Sequence, residues 1–216
     1  MPAPLPLAPG VLLWKGWLDR AAQEAVLGDV MGVLAAAPLF MPRMPRTADP
    51  MSVRMTNCGD LGWISDVAGY RYQRTHPVSG KAWPPMPRSV LAIWDETAAY
   101  PCPPEACLVN FYDSTARMGL HQDRDEFDFN APIVSISLGD GCKFRMGGTI
   151  RGGATRSLRL ESGDVLVFGG AARRMYHGVD RIFAGSSSLL PSGGRINLTL
   201  RRVSAASDHG SSGESQ

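Results

Sequence analysis

The first half of the chain contains two stretches with a helical pattern of apolar residues. In the first, apolar residues recur at helical spacing between Asp19, a favourable N-cap, and Ala37, which a proline follows. A second, shorter helix is predicted from Ser89, as its cap, to about Ala99. Residues 1–10 carry four prolines and therefore predict an extended arm.

From residue 106 onward the pattern changes to short apolar runs separated by turn residues. The runs are rich in β-branched and aromatic side chains, and no helical period lies between them. Such a succession predicts a sandwich or jelly roll that follows two N-terminal helices. The predicted strands are Ala106–Tyr112, Ile133–Leu138, Cys142–Met146, Ser157–Leu160, Val165–Phe168, Met175–Val179 and Arg195–Arg201.

Composition supports this class and narrows the setting. The 216 residues suit one domain, and 24 Gly with 17 Pro favour many turns over a helical bundle. The four cysteines form no C-x-x-C pair, which indicates reduced thiols in a cytoplasmic protein. No charge-free stretch reaches the ~18 apolar residues of a membrane span, and no secretion signal is recognised. We therefore predict a cytoplasmic protein without a membrane partner.

Three residues have the spacing of a metal site. In an extended segment, residues two apart project to the same face, so His121 and Asp123 can reach one ion. A further histidine, His177, lies inside a predicted strand. Two histidines and one carboxylate form the facial set that binds non-haem Fe(II) and leaves positions open. The same three residues could hold Zn²⁺, and an H-x-D motif is also common by chance.

The last predicted strand alternates strictly between polar and apolar residues. Arg195, Asn197 and Arg201 lie on one face, and Ile and Leu residues lie on the other. A solvated face of an edge strand is the ordinary explanation. In a small barrel, however, such a face can line a ligand cavity, where buried guanidinium groups need anionic partners. The two arginines could then bind a small dicarboxylate, with hydrogen bonds from Asn110 and Tyr112.

Several motifs follow one another in an order and spacing that point to a known family. They are N-x-Y (110–112), H-x-D (121–123), APIVSISLG (131–139), YHGV (176–179) and R-x-N-L-T-x-R (195–201). In this arrangement the chain resembles the AlkB-type Fe(II)/2-oxoglutarate dioxygenases. The resemblance covers about residues 50–202, because upstream stretches such as MTNCGDLGW (55–63) are similar as well.

The resemblance implies a fold, an activity and two bound groups. The fold would be mainly β (α+β): a double-stranded β-helix, or jelly roll, with N-terminal helices and a nucleotide-recognition lid. Residues 1–105 would form the arm, helices and lid, residues 106–202 the jelly-roll core, and residues 203–216 a disordered tail, with one catalytic domain in all. The activity would be oxidative demethylation of 1-methyladenine and 3-methylcytosine in DNA. Fe(II) and the co-substrates 2-oxoglutarate and O2 would be required, and formaldehyde, succinate and CO2 would be released.

The resemblance also assigns roles to individual residues. The iron ligands and catalytic residues would be His121, Asp123 and His177. The 2-oxoglutarate site would be formed by Asn110, Tyr112, Arg195, Asn197 and Arg201. The nucleotide would be bound by Met51, Met55, Trp63, Tyr70, Arg117, Asp125 and Arg151.

The expected partner is alkylated DNA, with single strands preferred, and RNA is a further candidate. The enzyme is expected to be a monomer. Two other classes stay open at this point. A 2-oxoglutarate oxygenase that hydroxylates a protein or a small molecule would keep the metal site and Arg195 but would have no use for Trp63. A jelly roll that binds a metal without turnover would release no succinate.

Overall fold

A computed structural model of the chain describes residues 3–205. Most of the tail that the sequence predicts to be disordered, residues 206–216, lies outside the described residues. In chain order the elements are β1 (Leu5–Ala8), β2 (Val11–Trp14), α1 (Arg20–Ala36), β3 (Arg54–Gly59), β4 (Gly62–Asp66), β5 (Gly69–Gln73), α2 (Arg88–Thr97), β6 (Ala106–Tyr112), β7 (Met118–His121), β8 (Ile133–Gly139), β9 (Cys142–Gly147), β10 (Thr155–Leu160), β11 (Val165–Phe168), a 3-10 turn (Gly170–Ala172), β12 (His177–Ile182) and β13 (Arg195–Arg201).

Two antiparallel sheets form the body of the protein. The larger has the order β1-β2-β11-β8-β13-β6-β3, and the smaller has the order β10-β9-β12-β7. One hydrophobic cluster contains residues of both sheets, including Leu108 and Ile133 of the larger and Phe144 and Val179 of the smaller, so the sheets pack face to face. The predicted mainly β jelly roll is confirmed.

The other face of the larger sheet is covered by the two helices. Val30 of α1 and Trp94 of α2 pack in one cluster with Ile196 and Leu198 of β13. The apolar side of β13 therefore faces the helices. Its polar side faces the smaller sheet, because side chains alternate along a strand.

A separate pair of strands, β4 and β5, forms the lid hairpin. It follows β3, the edge strand of the larger sheet. The side chain of Asn57 in β3 ties the hairpin down: its amide donates to the Trp63 carbonyl and its oxygen accepts from the Trp63 N–H, both at 3.0 Å. The strands β1, β2 and β3, from the segment 1–105, thus share one sheet with strands of the segment 106–202.

The helix starts show where local signals were reliable. The Asp19 cap is confirmed, because its carboxylate accepts from the Ala22 N–H at 2.8 Å. The predicted Ser89 cap is wrong: Pro87 occupies the N-cap of α2, and the Ser89 hydroxyl donates to Asp29 of α1 at 2.5 Å. A proline fits this position because its fixed φ suits a helix start. The Ser89 hydroxyl is used in a tertiary contact, which a local pattern does not reveal.

Strand boundaries were partly misjudged. The predicted strand Met175–Val179 is wrong in its start, since β12 runs from His177 to Ile182 after the 3-10 turn. The arm of residues 1–10 is extended, as predicted, but also pairs as β1. Among the described residues, neither helix is long and apolar enough to cross a membrane.

Candidate metal site and its surroundings

Three side chains from two adjacent strands converge at one end of the smaller sheet. His121 ends β7 and His177 begins β12, and the antiparallel register places the two residues opposite each other. Asp123 follows β7 by two residues, and the candidate ligand atoms of all three lie within 4.8 Å of one another. The Asp123 carboxylate is 3.7 Å from Nε2 of His121 and 3.8 Å from Nε2 of His177. The three predicted metal ligands are therefore brought together.

Both imidazole rings are oriented for ligation. Nδ1 of His121 lies 3.0 Å from the Gly119 carbonyl, and Nδ1 of His177 lies 3.1 Å from the Met175 carbonyl. A carbonyl oxygen only accepts, so each Nδ1 carries the hydrogen. Nε2 of each ring then faces Asp123, which is the orientation that a metal ligand needs.

The protonation states also favour metal binding. Burial, together with the neighbouring His121, lowers the pKa of His177 to about 4, so this ring is neutral at neutral pH. Burial alone would raise the pKa of Asp123, but the positive charge of Arg201 outweighs it and holds that pKa well below its usual range. His177 therefore offers a neutral nitrogen and Asp123 an anionic oxygen.

The donor set fits a facial triad better than a structural zinc site. Among residues 3–205, no fourth His, Cys, Asp or Glu joins the group. A structural Zn²⁺ site normally has four protein ligands, whereas two histidines and one carboxylate with open positions are typical of non-haem Fe(II) oxygenases. His121, Asp123 and His177 could thus hold Fe(II) and leave room for further ligands.

The polar face of β13 lies beside this centre, and the sheet register explains the predicted grouping. Asn197 is opposite Asn110, and Arg195 is opposite Tyr112. Arg195 is only 1% exposed, and its guanidinium donates to Ser137 Oγ at 2.9 Å and to the Asp140 carbonyl at 3.4 Å. The ordinary explanation for such a polar face, a solvated edge strand, is excluded because β13 is an inner strand of the sheet.

Three polar atoms on these facing strands have no hydrogen-bond partner within the described part of the chain. They are Nε of Arg195, Nη1 of Arg201 and Oδ1 of Asn110, and all are buried. A buried N–H without a partner is costly, so native structures leave few of them. Two unsatisfied guanidinium N–H groups, from the two ends of β13, match an anionic ligand with a carboxylate at each end. The residues present therefore fit 2-oxoglutarate.

Not every predicted co-substrate residue is free to bind. The Asn197 amide donates to Ser135 Oγ at 2.8 Å and to the Ile136 carbonyl at 3.0 Å, and its oxygen accepts from Thr199. Its hydrogen bonds therefore already join β13 to β8. Tyr112 is buried, which raises the pKa of its hydroxyl well above the usual range and keeps it neutral.

The predicted base platform belongs to the lid hairpin. The rings of Trp63 and Tyr70 stack with centroids 5.6 Å apart and 17° between their planes. The indole N–H of Trp63 donates to Oδ2 of Asp125 at 2.8 Å. Because Asp125 is two residues from the candidate ligand Asp123, the structure brings the aromatic platform and the metal centre together.

The other predicted nucleotide residues surround this region. Met55 is buried opposite Asn110, and Met51 packs against the core between the sheets. Arg117 is exposed just before β7, and its backbone is hydrogen-bonded to the Ser52 hydroxyl. Arg151 is exposed in the turn after β9, where it lines a groove of about 420 Å³. Among residues 3–205, no hydrogen bond or ion pair joins the side chain of Arg117 or Arg151 to the metal ligands.

Sequence reasoning missed the charged residues behind the ligands. Glu126 and Arg173 are 4% and 3% exposed and form an ion pair at 3.1 Å. Arg173 also donates to the backbone carbonyl of Asp123 at 3.0 Å. In the sequence, Glu126 is one of several acids in the run DRDEFD, and nothing local separates it from a solvated residue.

Comparison with known proteins agrees with this geometry. A family model described as "2OG-Fe(II) oxygenase superfamily" matches residues 10–201. An "Alpha-ketoglutarate-dependent dioxygenase AlkB homolog" of Caulobacter vibrioides is 53% identical over 203 residues, which are 94% of this chain and 92% of that protein. The "Alpha-ketoglutarate-dependent dioxygenase AlkB" of Escherichia coli is 40% identical and covers 92% of each chain. A solved structure titled "The structure of OsALKBH1" superposes with a TM-score of 0.80 at 30% identity, covering 93% of this chain and 100% of that one.

Proposed function

Because the chain belongs to the AlkB-type dioxygenases of the 2OG-Fe(II) oxygenase superfamily, we propose that it removes N-methyl groups from bases in alkylated DNA. The proposed substrates are 1-methyladenine and 3-methylcytosine, and the products are the repaired base, formaldehyde, succinate and CO2. The observation that carries the proposal is the contact between Asp125 and Trp63, which joins an aromatic platform to a three-ligand centre.

His121, Asp123 and His177 would hold the iron, and the polar face of β13 would hold the co-substrate. Arg195 is buried and has an unpaired N–H, so it would bind the distal carboxylate of 2-oxoglutarate. Arg201, which already contacts Asp123, would lie near the carboxylate on the metal side. When bound, iron with 2-oxoglutarate and O2 supplies the oxidising power that hydroxylates the N-methyl carbon.

The protein's own contribution is to present the methyl group. The methylated nitrogen lies on the pairing edge of the base, so the base must leave the stack or start in a single strand. Trp63 and Tyr70 offer an aromatic surface on which any base can stack. Asp125 would accept from the exocyclic nitrogen, Arg117 would bind a backbone phosphate, and Arg151 would border the nucleotide pocket. We propose single-stranded DNA as the preferred partner, with RNA as a second strand type, and a monomeric cytoplasmic enzyme.

The test is product formation with a set of methylated oligonucleotides. Protein supplied with Fe(II), 2-oxoglutarate and ascorbate should release formaldehyde and succinate in equal amounts from single strands that contain 1-methyladenine or 3-methylcytosine. The unmethylated strands are the control and should give no formaldehyde. If no methylated strand raises succinate release above that control, the enzyme acts on another substrate, such as a protein or a small molecule.

Alanine at Trp63 should weaken binding of the methylated strand while leaving the metal centre intact. One base stack contributes about 1–3 kcal/mol, so we expect the dissociation constant to rise roughly 5- to 150-fold. The measurement is fluorescence anisotropy of a labelled oligonucleotide, with 2-oxoglutarate binding followed in parallel. Trp17→Phe is the matched control, because Trp17 packs against Trp14 on the helical side. Equal binding by Trp63→Ala and wild type would contradict the platform.

Alanine at Arg117 should change how binding depends on salt rather than which lesion is preferred. Each neutralised phosphate adds about −0.7 to the log–log slope for a single strand, so the slope should become shallower by roughly that amount. Phosphate contacts position the strand and carry no base information, so the ranking of lesions should stay as in wild type. An unchanged salt dependence of binding, or a different ranking of lesions, would show that Arg117 does not bind a phosphate.

A further inference from the structure

Four buried charged side chains form one cluster behind the metal ligands. Asp123, Glu126, Arg173 and Arg201 are each less than 10% exposed. Arg201 binds Asp123 Oδ2 at 2.9 Å and Glu126 Oε1 at 3.4 Å, and Arg173 binds Glu126 Oε2 at 3.1 Å. Two carboxylates are thus balanced by two guanidinium groups, as buried charges require.

A residue of the lid hairpin completes this cluster. The Tyr72 hydroxyl donates to Oε1 of Glu126 at 2.5 Å, the same oxygen that Arg201 contacts. In the hairpin, Tyr72 is the direct partner of Trp63. One cross-strand pair therefore carries both the aromatic platform and the connection to the buried charges.

The cluster contacts Asp123 through both its side chain and its backbone. Arg201 contacts the same carboxylate oxygen of Asp123 that lies 3.8 Å from Nε2 of His177. The guanidinium of Arg201 also contacts Glu126. The position of Glu126 therefore affects where this guanidinium lies and how strongly it attracts the Asp123 carboxylate. Arg173 fixes the backbone at the same residue, through the Asp123 carbonyl. Residues that orient a ligand in this way commonly change metal affinity 10- to 100-fold when mutated.

We propose that Tyr72 is a positioning residue for the metal ligand Asp123, acting through Glu126 and its two arginines. Metal affinity then depends on a side chain of the lid hairpin, although that side chain never touches the metal. Because the two are linked, a change that displaces Tyr72 in the hairpin also changes metal affinity, and metal binding in turn affects the hairpin at Tyr72. The inference rests on the proposed function only in taking His121, Asp123 and His177 as the metal site.

The experiment compares two tyrosine variants by their affinity for Mn²⁺ alone. Tyr72→Phe removes one phenol–carboxylate hydrogen bond, and Tyr100→Phe removes another of similar length, from Tyr100 to Asp128 at 2.6 Å, outside the cluster. We expect Tyr72→Phe to bind Mn²⁺ about 10-fold more weakly than wild type. Tyr100→Phe should stay within a factor of two. Equal Mn²⁺ affinity of the two variants would overturn the inference.

A second pair of measurements keeps the test decisive if Tyr72→Phe is poorly folded. Glu126→Gln retains the shape of the side chain but removes the charge that Arg201 and Arg173 share, and should also weaken Mn²⁺ binding about 10-fold. The oligonucleotide should bind more tightly to Mn²⁺-loaded than to metal-free wild type, and this difference should shrink in Tyr72→Phe. Tight Mn²⁺ binding by Glu126→Gln would contradict the inference. If wild type binds Mn²⁺ but demethylates no methylated strand when Fe(II) and 2-oxoglutarate are supplied, the proposed function is contradicted and the inference stands.

Discussion

Alanine at His177 should reduce formaldehyde and succinate release to the background of the metal-free protein. The two remaining ligands, His121 and Asp123, cannot define three sites of an octahedron, so the metal loses both affinity and its open face. We expect the same result for Asp123→Ala, which also leaves Arg201 without its closest carboxylate at 2.9 Å. Turnover with Fe(II) is the main measurement, and a Mn²⁺ titration reports binding without turnover.

The fold must be shown to survive these changes. Thermal unfolding of the metal-free proteins serves this purpose, since wild type and His177→Ala then differ only in the side chain. Removal of metal from wild type by a chelator should mimic the variant, and added Fe(II) should restore activity to wild type alone. Full activity of His177→Ala, or a tightly bound Zn²⁺ with four protein ligands, would refute the assignment.

Alanine at Arg195 should raise the 2-oxoglutarate concentration needed for half-maximal rate. Arg195 is buried and donates to Ser137, and its unpaired Nε is available to a ligand. A hydrogen bond to a charged group contributes about 1.5–3 kcal/mol, which corresponds to roughly a 10- to 150-fold increase in that concentration. Arg195→Lys should restore only part of the affinity, because an ammonium group cannot reproduce the two parallel donors.

A nearby arginine provides the control for this measurement. Arg202 directly follows β13 and pairs with Glu105 at 3.4 Å, away from the polar face. Arg202→Ala should therefore leave the 2-oxoglutarate dependence as in wild type. If Arg195→Ala shows the same dependence as Arg202→Ala, the co-substrate does not bind between the two ends of β13.

The sequence predicted best those elements in which the order of polar and apolar residues reflects what each face of the element contacts. The alternation of β13 was visible because its two faces meet different neighbours, the helices on one side and the smaller sheet on the other. The strands β4 and β5 escaped prediction because they form a hairpin outside the two main sheets, and β5 contains no fully buried residue. For β1, Pro6 and the prolines on either side of the strand masked a strand that needs hydrogen bonds on one side only.

Site residues could be predicted from the sequence when their type alone indicates the chemistry. They could not be predicted when their role comes from their position in the fold. His121, Asp123 and His177 stand out because few side chains bind metals, whereas Tyr72, Glu126 and Arg173 are ordinary residue types. Their role depends on burial and on contacts as distant as the 54 residues between Tyr72 and Glu126. A period-two signal did exist for Ser135 and Ser137 in β8, which alternate with Val134 and Ile136, and it marks the face on which Arg195 is held.

The order of the larger sheet also determines which strand lies at its exposed edge. β11 is buried along its whole length, and at the end of the sheet it would offer unpaired backbone groups to a second molecule. β2 pairs with that edge, and β1 then becomes the outermost strand. Pro6 in β1 has no N–H to donate, so the outer edge is a poor template for further strands. The short first hairpin thus covers the edge of the sheet whose inner strand β13 carries the candidate co-substrate residues Arg195 and Arg201.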